Sequence, residues 1–406
     1  MLPLDDIVVF DLSRVLSGPY CSMSLGDFGA RVIKLEHPDG GDDTRAFGPP
    51  FLHGESTYFL SVNRNKESVA IDLKKPEGRA LALELACRAD VLLENFRPGA
   101  LDRLGLDYQT LAAKNPKLIY ASISGFGHSG LAEWSRRPGY DLAIQGMGGL
   151  ASLTGESDGP PLKAGVSIAD LIAGLHALVG ILVALHARTR TGRGQHVDVS
   201  MLDGQISLLT YHAGIYFATG RTPTRQGNRH PSIVPYETYR AEDGYVNLAV
   251  GNDVLWRTFC DAVGPALKAA ASDPRFAENS KRVENREALS AIMTPLVASR
   301  SVAAWLELCE KAGVPSGPIL SVSQALEHPQ VRARDMVVAL DHEKAGPILV
   351  TGVPIKLSET PGKVRSAPPQ LGEHTLSVLS GLLGKTNEEL ERLRASGVLA
   401  TPSKAD

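Results

Sequence analysis

The chain has 406 residues, more than one average domain, and its 43% hydrophobic and 21% charged side chains are ordinary values for a soluble globular protein. Its 42 Lys and Arg residues nearly balance 45 Asp and Glu residues, and the net charge of −3 excludes the basic surface of a general nucleic-acid-binding protein. Four well-separated cysteines match neither a disulfide framework nor a zinc motif. We therefore expect a reducing, cytoplasmic compartment and no bound metal.

Membrane insertion is not expected. The N-terminal residues MLPLDDIVVF have no basic stretch ahead of their apolar run, unlike a secretory signal. The most apolar segment, Ile172–Ala187, spans 16 residues, fewer than the roughly 20 that cross a bilayer, and contains His176 and His186. We predict a buried helix of a soluble protein.

Residues 1–205 predict a large doubly wound, Rossmann-like α/β domain. Short apolar runs typical of buried strands alternate with helical segments, as in the βαβ units of a parallel sheet. The predicted strands are Ile7–Asp11, Arg31–Leu35, Ser68–Leu73, Val91–Asn95, Lys117–Ser122 and Gln195–Ser200. The helices between them include one ending near Phe28 and one over Pro76–Ala89.

The remaining chain predicts a second, smaller domain. Residues 206–230 are expected to be a linker, since the run RTPTRQGNRHPSIVP is rich in turn-forming residues and has no periodicity. Residues 231–320 predict an α+β domain that opens with a hairpin turning at Asp243-Gly244. A second linker at 321–335 leads to a C-terminal segment, 336–406, that returns to the large domain and ends in a helix, Asn387–Ser396.

Local motifs exclude several kinds of site. The chain contains no GxGxxG, GxxxxGK[ST], GxSxG or HExxH motif, so dinucleotide, P-loop, hydrolase and zincin sites lack their usual marks. The carboxylate of greatest interest is Asp170, because it lies in the opening turn of the most apolar helix. The positive helix end would favour its ionised form, which could act as a nucleophile at neutral pH. The alternative is a structural capping residue.

Several motifs in order carry a resemblance to a known family. They are DLSRVLSGPYCSMSLGDFGARVIKLEHPDGGDDTR, NRNKESVAIDLKKPEG, ADVLLENFRPGALDRLGLDY, GPPLKAGVSIADLIAGLHALVGILVAL with TGRGQHVDVSMLD, and AGVPSGPI followed by PQLGEHT. Over nearly the whole chain they resemble the class III coenzyme A transferases, a family that also includes formyl-CoA transferases, carnitine CoA-transferases and α-methylacyl-CoA racemases.

The resemblance implies an activity and an assembly. Asp170 matches the family's catalytic aspartate, and Tyr140 is expected to line the same pocket. The substrates would be an acyl-CoA thioester and a free carboxylic acid, with no permanently bound cofactor. The implied reaction passes through an aspartyl anhydride and an aspartyl-CoA thioester. The family's subunits form an interlocked homodimer, in which each ring-like chain passes through the other. The two linkers of this chain would allow that arrangement.

The resemblance also implies a coenzyme A site. The family's CoA-contacting positions correspond here to Leu16, Ser17, His37, Ile71, Asp72, Leu73, Lys74, Asn95, Phe96, Arg97 and Arg103. The phosphates of CoA carry several negative charges, which Lys74, Arg97 and Arg103 could pair with. Judged without the resemblance, a solvated surface charge is the favoured interpretation of each of these three residues.

Departures from relatives separate the candidate activities. Racemases have His where this chain has Tyr140, and a tyrosine of pKa about 10 is a poor proton shuttle, which favours a transferase. Leu16 stands where oxalate-using formyl-CoA transferases have Gln, so oxalate is not the expected acceptor. An epimerase of the same family, an NAD-dependent dehydrogenase and a non-catalytic CoA-binding protein are the alternatives.

One loop indicates the substrate class. The run GNRHPSIVPYETYRAEDG resembles that of members using succinyl-CoA with citramalate-like or glutarate-like acids. We therefore expect succinyl-CoA as donor and a dicarboxylate as acceptor. Arg229 and His230 could pair with the second carboxylate of the acceptor. The alternative is that this loop only packs the domains together.

Overall fold

The computed structural model describes residues 1–402 and divides into two compact units. The first unit contains Met1–Leu150, Lys163–Gly214 and the described residues from Pro329 onward, and the second contains Ala151–Leu162 and Ile215–His328. The domain boundaries expected at residues 205, 230, 320 and 335 stay a prediction. In the structure, residues 206–214 belong to the first compact unit, and the short segment Ala151–Leu162 belongs to the second.

The strands and helices follow one another along the chain with short connections. The strands are β1 (Val8–Asp11), β2 (Arg31–Glu36), β3 (Phe51–Leu52), β4 (Glu55–Ser56), β5 (Lys66–Ile71), β6 (Val91–Glu94), β7 (Ile119–Ser124), β8 (His196–Ser200), β9 (Tyr236–Arg240), β10 (Tyr245–Ala249), β11 (Ser316–Pro318), β12 (Val337–His342), β13 (Gly346–Thr351) and β14 (Leu399–Ala400). The helices are α1 (Ser17–Asp27), α2 (Thr57–Val62), α3 (Pro76–Arg88), α4 (Tyr108–Lys114), α5 (Ala132–Ser135), α6 (Asp141–Met147), α7 (Leu150–Leu153), α8 (Ile168–Thr191), α9 (Met201–Leu208), α10 (Thr210–Thr219), α11 (Asp253–Val263), α12 (Pro265–Ala271), α13 (Asn279–Glu284), α14 (Arg286–Ala298), α15 (Val302–Ala312), α16 (Val322–Glu327), α17 (Pro329–Ala333), α18 (Thr375–Leu383) and α19 (Asn387–Ala395).

A central sheet in the first unit has the strand order β14-β5-β2-β1-β6-β7-β8. All neighbouring pairs are parallel except β14 with β5, which is antiparallel. Side chains alternate between the two sheet faces, so Val9 belongs to one hydrophobic cluster and Phe10 to another. The predicted α/β architecture with a parallel sheet is confirmed, and both faces of the sheet are covered.

Helix α8 packs closely against the sheet and against α1. Its buried positions include the small residues Ala169, Ala173, Gly174 and Ala177. A Cβ at Gly174 would lie only 2.5 Å from the carbonyl oxygen of Ser17, so this glycine permits the close approach of the two helices. In residues 1–402, α8 is the one unbroken helix whose length and composition would suit a membrane span, and nearly half of it is buried.

The prediction that this helix is buried holds for one face only. The opposite face leaves four large apolar side chains exposed, namely Leu175, Val179, Leu182 and Val183, with fractional exposures from 39% to 62%. The sequence analysis did not separate these two faces because the helix is apolar on all sides.

The second unit is built around a small antiparallel sheet. Strands β9 and β10 form the predicted hairpin, with Arg240 paired to Tyr245 across the turn at Asp243-Gly244, and β11 pairs with β10. Its core includes Trp256, Phe259 and Trp305.

The C-terminal segment belongs to the first unit, where β12 and β13 form an antiparallel pair and β13 ends at Thr351. Gly352 follows this strand. A Cβ at Gly352 would lie 1.9 Å from the carbonyl oxygen of Asp335, so only glycine lets the two backbone segments approach this closely. The terminal helix α19 forms as predicted and begins with a capping box between Thr386 and Glu389.

Candidate active site

A cavity of about 360 Å³ lies in the first unit, beside the carboxyl ends of β1, β6 and β7. Its walls come from the loop after β1, the loop after β6, the loop before α6 and the first turn of α8. The side chains relevant to chemistry are Arg14, Ser17, Asn95, Phe96, Arg97, Arg103, Arg137, Tyr140 and Asp170. Carboxyl ends of parallel strands are the usual ligand-binding edge of such sheets.

Asp170 is the third residue of α8, and a neighbouring carboxylate takes over the capping role. The N-cap residue, Ser167, makes no side-chain capping bond. Instead Asp141 Oδ1 accepts a hydrogen bond from the N–H of Ala169 at 2.9 Å. Asp141 Oδ2 accepts another from Gln145 Nε2 at 2.7 Å. The helix end is therefore satisfied from α6, which leaves Asp170 free of a structural capping task.

The ionisation of Asp170 differs from the expectation. Burial raises its pKa to about 7, and the negative charge of Asp141 adds to the rise. The carboxylate accepts no hydrogen bond from any of residues 1–402 that would stabilise the charge. Burial and the like charge of Asp141 shift the pKa of Asp170 in the direction opposite to the shift expected from the helix end. The result is a poorly solvated carboxylate that changes charge near neutral pH.

Two tyrosines surround this carboxylate. Tyr140 lines the cavity as predicted and remains 71% exposed at the N-cap of α6. Tyr58, on α2, lies within electrostatic reach of Asp170, since burial and then the charges of Asp170 and Asp141 raise its pKa to about 12. Sequence analysis missed Tyr58, which belongs to none of the quoted motifs.

The cavity is lined by four arginines, two of which the sequence analysis missed. Arg97 and Arg103 were expected, whereas Arg14 and Arg137 were not. The guanidinium of Arg14 lies 5.0 Å from the ring centre of Phe96. Arg14 lies in a quoted motif and Arg137 lies three residues before Tyr140, but only the strand order, with β1, β6 and β7 adjacent, shows that their loops meet.

Asn95 joins two of these loops directly. Its Oδ1 accepts from the N–H of Arg14 at 2.8 Å, and its Nδ2 donates to the Arg14 carbonyl at 2.7 Å. The same Nδ2 lies 3.3 Å from Ser17 Oγ. This predicted binding residue therefore also has a structural task.

The other expected CoA-contacting residues lie at neighbouring strand ends. His37 follows β2 and Asp72 follows β5, and His37 Nε2 lies 3.7 Å from Asp72 Oδ1. The N–H of Lys74 donates to the same Asp72 oxygen at 2.8 Å, and Leu73 packs against the core beside it. These four residues share the carboxyl edge of the sheet with the cavity but do not line it.

Two expected contact residues have buried side chains. Ile71 is 1% exposed within the core, so only its main chain could reach a ligand. Leu16 is 9% exposed and packs with Met23 and Val62 at the N-terminus of α1. Their CoA contacts stay a prediction.

Arg229 and His230 belong to the second unit. Arg229 is paired with two carboxylates, Glu237 at 3.2 Å and Glu287 at 2.8 Å. His230 Nδ1 accepts from the N–H of Ser232 at 3.1 Å. Their role in substrate binding stays a prediction, and the charge of Arg229 is already offset within this unit.

No group of three or more His, Cys, Asp or Glu residues in the described part of the chain could hold a metal ion.

Comparisons with known proteins identify the family of this chain. The model of CoA-transferase family III matches residues 4–375. The chain is 46% identical over 359 residues to the acetyl-CoA:oxalate CoA-transferase of Acetobacter aceti, covering 88% of this chain and 89% of the relative. It is 44% identical over 386 residues to the succinate–glutarate CoA-transferase of Agrobacterium fabrum, covering 94% and 96%.

A solved structure has the same fold. The crystal structure of a CAIB/BAIF family protein from Brucella suis superposes with a TM-score of 0.82 at 42% identity, covering 94% of this chain and 99% of that one. The family match includes Asp170, the residues lining the cavity and every strand of the central sheet except β14. The chain therefore belongs to CoA-transferase family III, and the protein is a class III CoA-transferase.

Proposed function

We propose that this enzyme transfers coenzyme A from succinyl-CoA to a free dicarboxylic acid, with Asp170 as the nucleophile. The observation that carries the proposal is the cavity itself, in which a poorly solvated carboxylate shares one space with four arginines. Such a carboxylate is a better nucleophile than a hydrated one, and the arginines suit anionic substrates. The name of the Agrobacterium relative supports the dicarboxylate class.

The reaction proceeds through covalent intermediates on the carboxylate of Asp170, which receives the acyl group and then CoA. Asp170 attacks the thioester carbonyl of succinyl-CoA, the C–S bond breaks, and a mixed anhydride and the CoA thiolate result. The thiolate then attacks the aspartyl carbonyl, which releases succinate and leaves CoA on Asp170 as a thioester. The acceptor carboxylate attacks that thioester, the C–S bond breaks to release the CoA thiolate again, and a second anhydride forms between Asp170 and the acceptor. The returning thiolate attacks the acceptor's acyl carbon, which yields the new acyl-CoA and frees Asp170.

Coenzyme A would lie along the carboxyl edge of the central sheet. Arg97 and Arg103, in the cavity, are suited to its phosphates, and Lys74 offers a further cation at the end of β5. His37 beside Asp72 would contact the nucleotide end. No permanently bound cofactor is part of this scheme, and the CoA thioester is the substrate.

The acceptor's second carboxylate needs a cationic partner. Arg229 with His230 is the partner expected from the sequence, and Arg14 and Arg137 in the cavity are the structural alternatives. Matched variants, Arg229→Gln and Arg137→Gln, compare the two sites. The variant that raises KM for a dicarboxylate but not for a monocarboxylate of equal length identifies the partner.

The racemase alternative is disfavoured because the described part of the cavity offers no histidine to move the α-proton. The described residues lining the cavity include no histidine, and Tyr140 occupies the position where racemases have one. Incubation of an α-methylacyl-CoA with the enzyme in D₂O tests this point. We expect no deuterium at the α-carbon, and its incorporation would favour an epimerase.

A homodimer, interlocked as in the family, is the proposed assembly. The exposed apolar face of α8, formed by Leu175, Val179, Leu182 and Val183, supports it, because such a face is unfavourable in water. Light scattering at micromolar concentration should give twice the 43.3 kDa chain mass. A monomeric mass would contradict the proposal.

Cytoplasmic location is likewise a prediction, tested by fractionation of the source cells.

The central experiment is an exchange assay. The enzyme is incubated with succinyl-CoA and glutarate, mesaconate or citramalate, and the new thioesters are identified by mass spectrometry. Acetyl-CoA with oxalate forms a separate arm, because a relative at 46% identity carries that name. Preference for a C4 to C6 dicarboxylate supports the proposal, whereas a preference for oxalate overturns the substrate class while leaving the transferase reaction intact.

A further inference from the structure

A buried ion pair lies beneath the loop that follows β1, a loop that forms one wall of the Asp170 cavity. Lys34, on β2, and Asp42 have fully buried side chains, and Lys34 Nζ lies 2.8 Å from Asp42 Oδ2. Lys34 Nζ also donates to the carbonyl of Ser13 at 2.8 Å. The ammonium therefore connects the carboxylate to the main chain of the loop.

The second oxygen of Asp42 contacts the loop directly. Asp42 Oδ1 accepts from the N–H of Val15 at 3.3 Å, and from the N–H and hydroxyl of Thr44 at 2.9 and 2.7 Å. Burial by itself would raise the pKa of Asp42, but the Lys34 ammonium and the Thr44 hydrogen bonds hold it well below its usual range. Asp42 is thus a fixed negative charge with one oxygen for Lys34 and one for Val15.

Val15 has an unfavourable backbone conformation. Its φ is +67°, in the left-handed region that a β-branched residue strongly avoids. A residue stays there only when its surroundings hold it. The N–H of Val15 is held by Asp42, and its neighbour Arg14 is held at both backbone groups by Asn95.

The strained residue lines the cavity that contains the reacting carboxylate. Arg14, Val15 and Ser17 line the same cavity as Asp170. The carbonyl of Ser17 also packs against Gly174, one helical turn after Asp170 on α8. A change of backbone conformation at Val15 would therefore alter the wall that faces a substrate bound at Asp170.

We propose that Asp42, paired with Lys34, is a positioning residue for CoA transfer that holds Val15 in its left-handed conformation and so preserves the cavity wall beside Asp170. The inference rests on the proposed function of this cavity. It goes beyond that function because Asp42 touches neither Asp170 nor the expected substrate positions.

The test is a double-mutant cycle in the exchange assay. Asp42→Asn should lower kcat/KM for CoA exchange at least about tenfold, because the amide presents an NH₂ group to Lys34 and loosens the hold on Val15. In a Val15→Gly background the same change should cost less than about threefold, since glycine adopts positive φ without strain. The milder variant Thr44→Val, which keeps the charge of Asp42, should show a smaller loss of the same kind.

A matched control separates positioning from general stability. Asp27 is also a buried carboxylate, paired with Arg64 at 2.7 Å, and it has no contact with the loop. Asp27→Asn should lower the thermal midpoint of unfolding. Its kcat/KM, measured at a temperature well below that midpoint, should equal that of the wild type. If Asp27→Asn is destabilised as much as Asp42→Asn and loses as much kcat/KM, the proposal is overturned. It is also overturned if Asp42→Asn lowers kcat/KM by the same factor in the wild-type and Val15→Gly backgrounds.

Hydrogen exchange provides a readout that does not depend on activity. Asp42→Asn should speed deuterium uptake in the peptide covering residues 12–18, whereas Asp27→Asn should not. Unchanged uptake in Asp42→Asn would refute the positioning role even if the substrates proved different. Absence of any exchange activity in the wild-type enzyme would instead count against the proposed function.

Discussion

Replacing Asp170 by Asn separates the chemistry of this residue from its shape. The amide is nearly isosteric with the carboxylate but can form neither an anhydride nor a CoA thioester. Exchange should fall at least about 10³-fold, as expected when a covalent nucleophile is removed. Because the carboxylate makes no capping bond, the fold and CoA binding should be retained.

The same replacement should stabilise the protein at alkaline pH. The pKa of Asp170 is about 7 in the folded state, against about 3.9 in an unfolded chain. A difference of about three units corresponds to at most about 4 kcal/mol, and partial exposure to water reduces the expected gain to about 2 kcal/mol. An acid whose pKa is raised by folding destabilises the native state progressively as pH rises from the unfolded pKa to the folded pKa, and the loss is complete above the folded pKa. The gain should therefore be full at pH 8 and vanish toward pH 4.

Thermal unfolding of both proteins at pH 8 and pH 5, together with the exchange assay, measures these effects. We expect a higher midpoint for Asp170→Asn at pH 8, by about 2–5 °C, and a smaller difference at pH 5. Full exchange activity in the variant would refute the assignment of the nucleophile. A midpoint that is lower at pH 8 than that of the wild type would refute the assigned cause of the raised pKa.

Three further predictions concern the cavity and its neighbours. The kcat/KM of the wild-type enzyme should rise about tenfold per pH unit below pH 7 and level off above it, as Asp170 loses its proton, and a flat profile from pH 5.5 to 8 would contradict this. Arg229→Gln should raise KM for a dicarboxylate about ten- to a hundredfold and leave a monocarboxylate unaffected, if the sequence-based assignment is correct; equal KM values would exclude it. Gly174→Ala should lower stability by about 1–3 kcal/mol and reduce exchange, because the new Cβ would lie 2.5 Å from the Ser17 carbonyl; an unchanged denaturation midpoint would show that α1 and α8 can separate at no cost.

The sequence by itself determined the family, the parallel sheet and the position of Asp170. These features depend on local information: alternating strand and helix patterns, turn residues such as Asp243-Gly244, and long motifs in a constant order. The apolar pattern that follows Asp170 predicted the helix α8, which the structure ends at Gly192, where φ is +67°.

The tertiary structure decided which residues share the cavity and how they are charged. Arg14 and Arg137 line the same cavity as Asp170 only because the strands β1, β6 and β7, and therefore the loops that follow them, are adjacent in the sheet. Asp141 takes the capping role, and with burial it raises the pKa of Asp170, whereas helix position alone predicted the opposite shift. Solvation and the approach of distant charges depend on the packing of segments far apart in the chain, and no local sequence pattern records them.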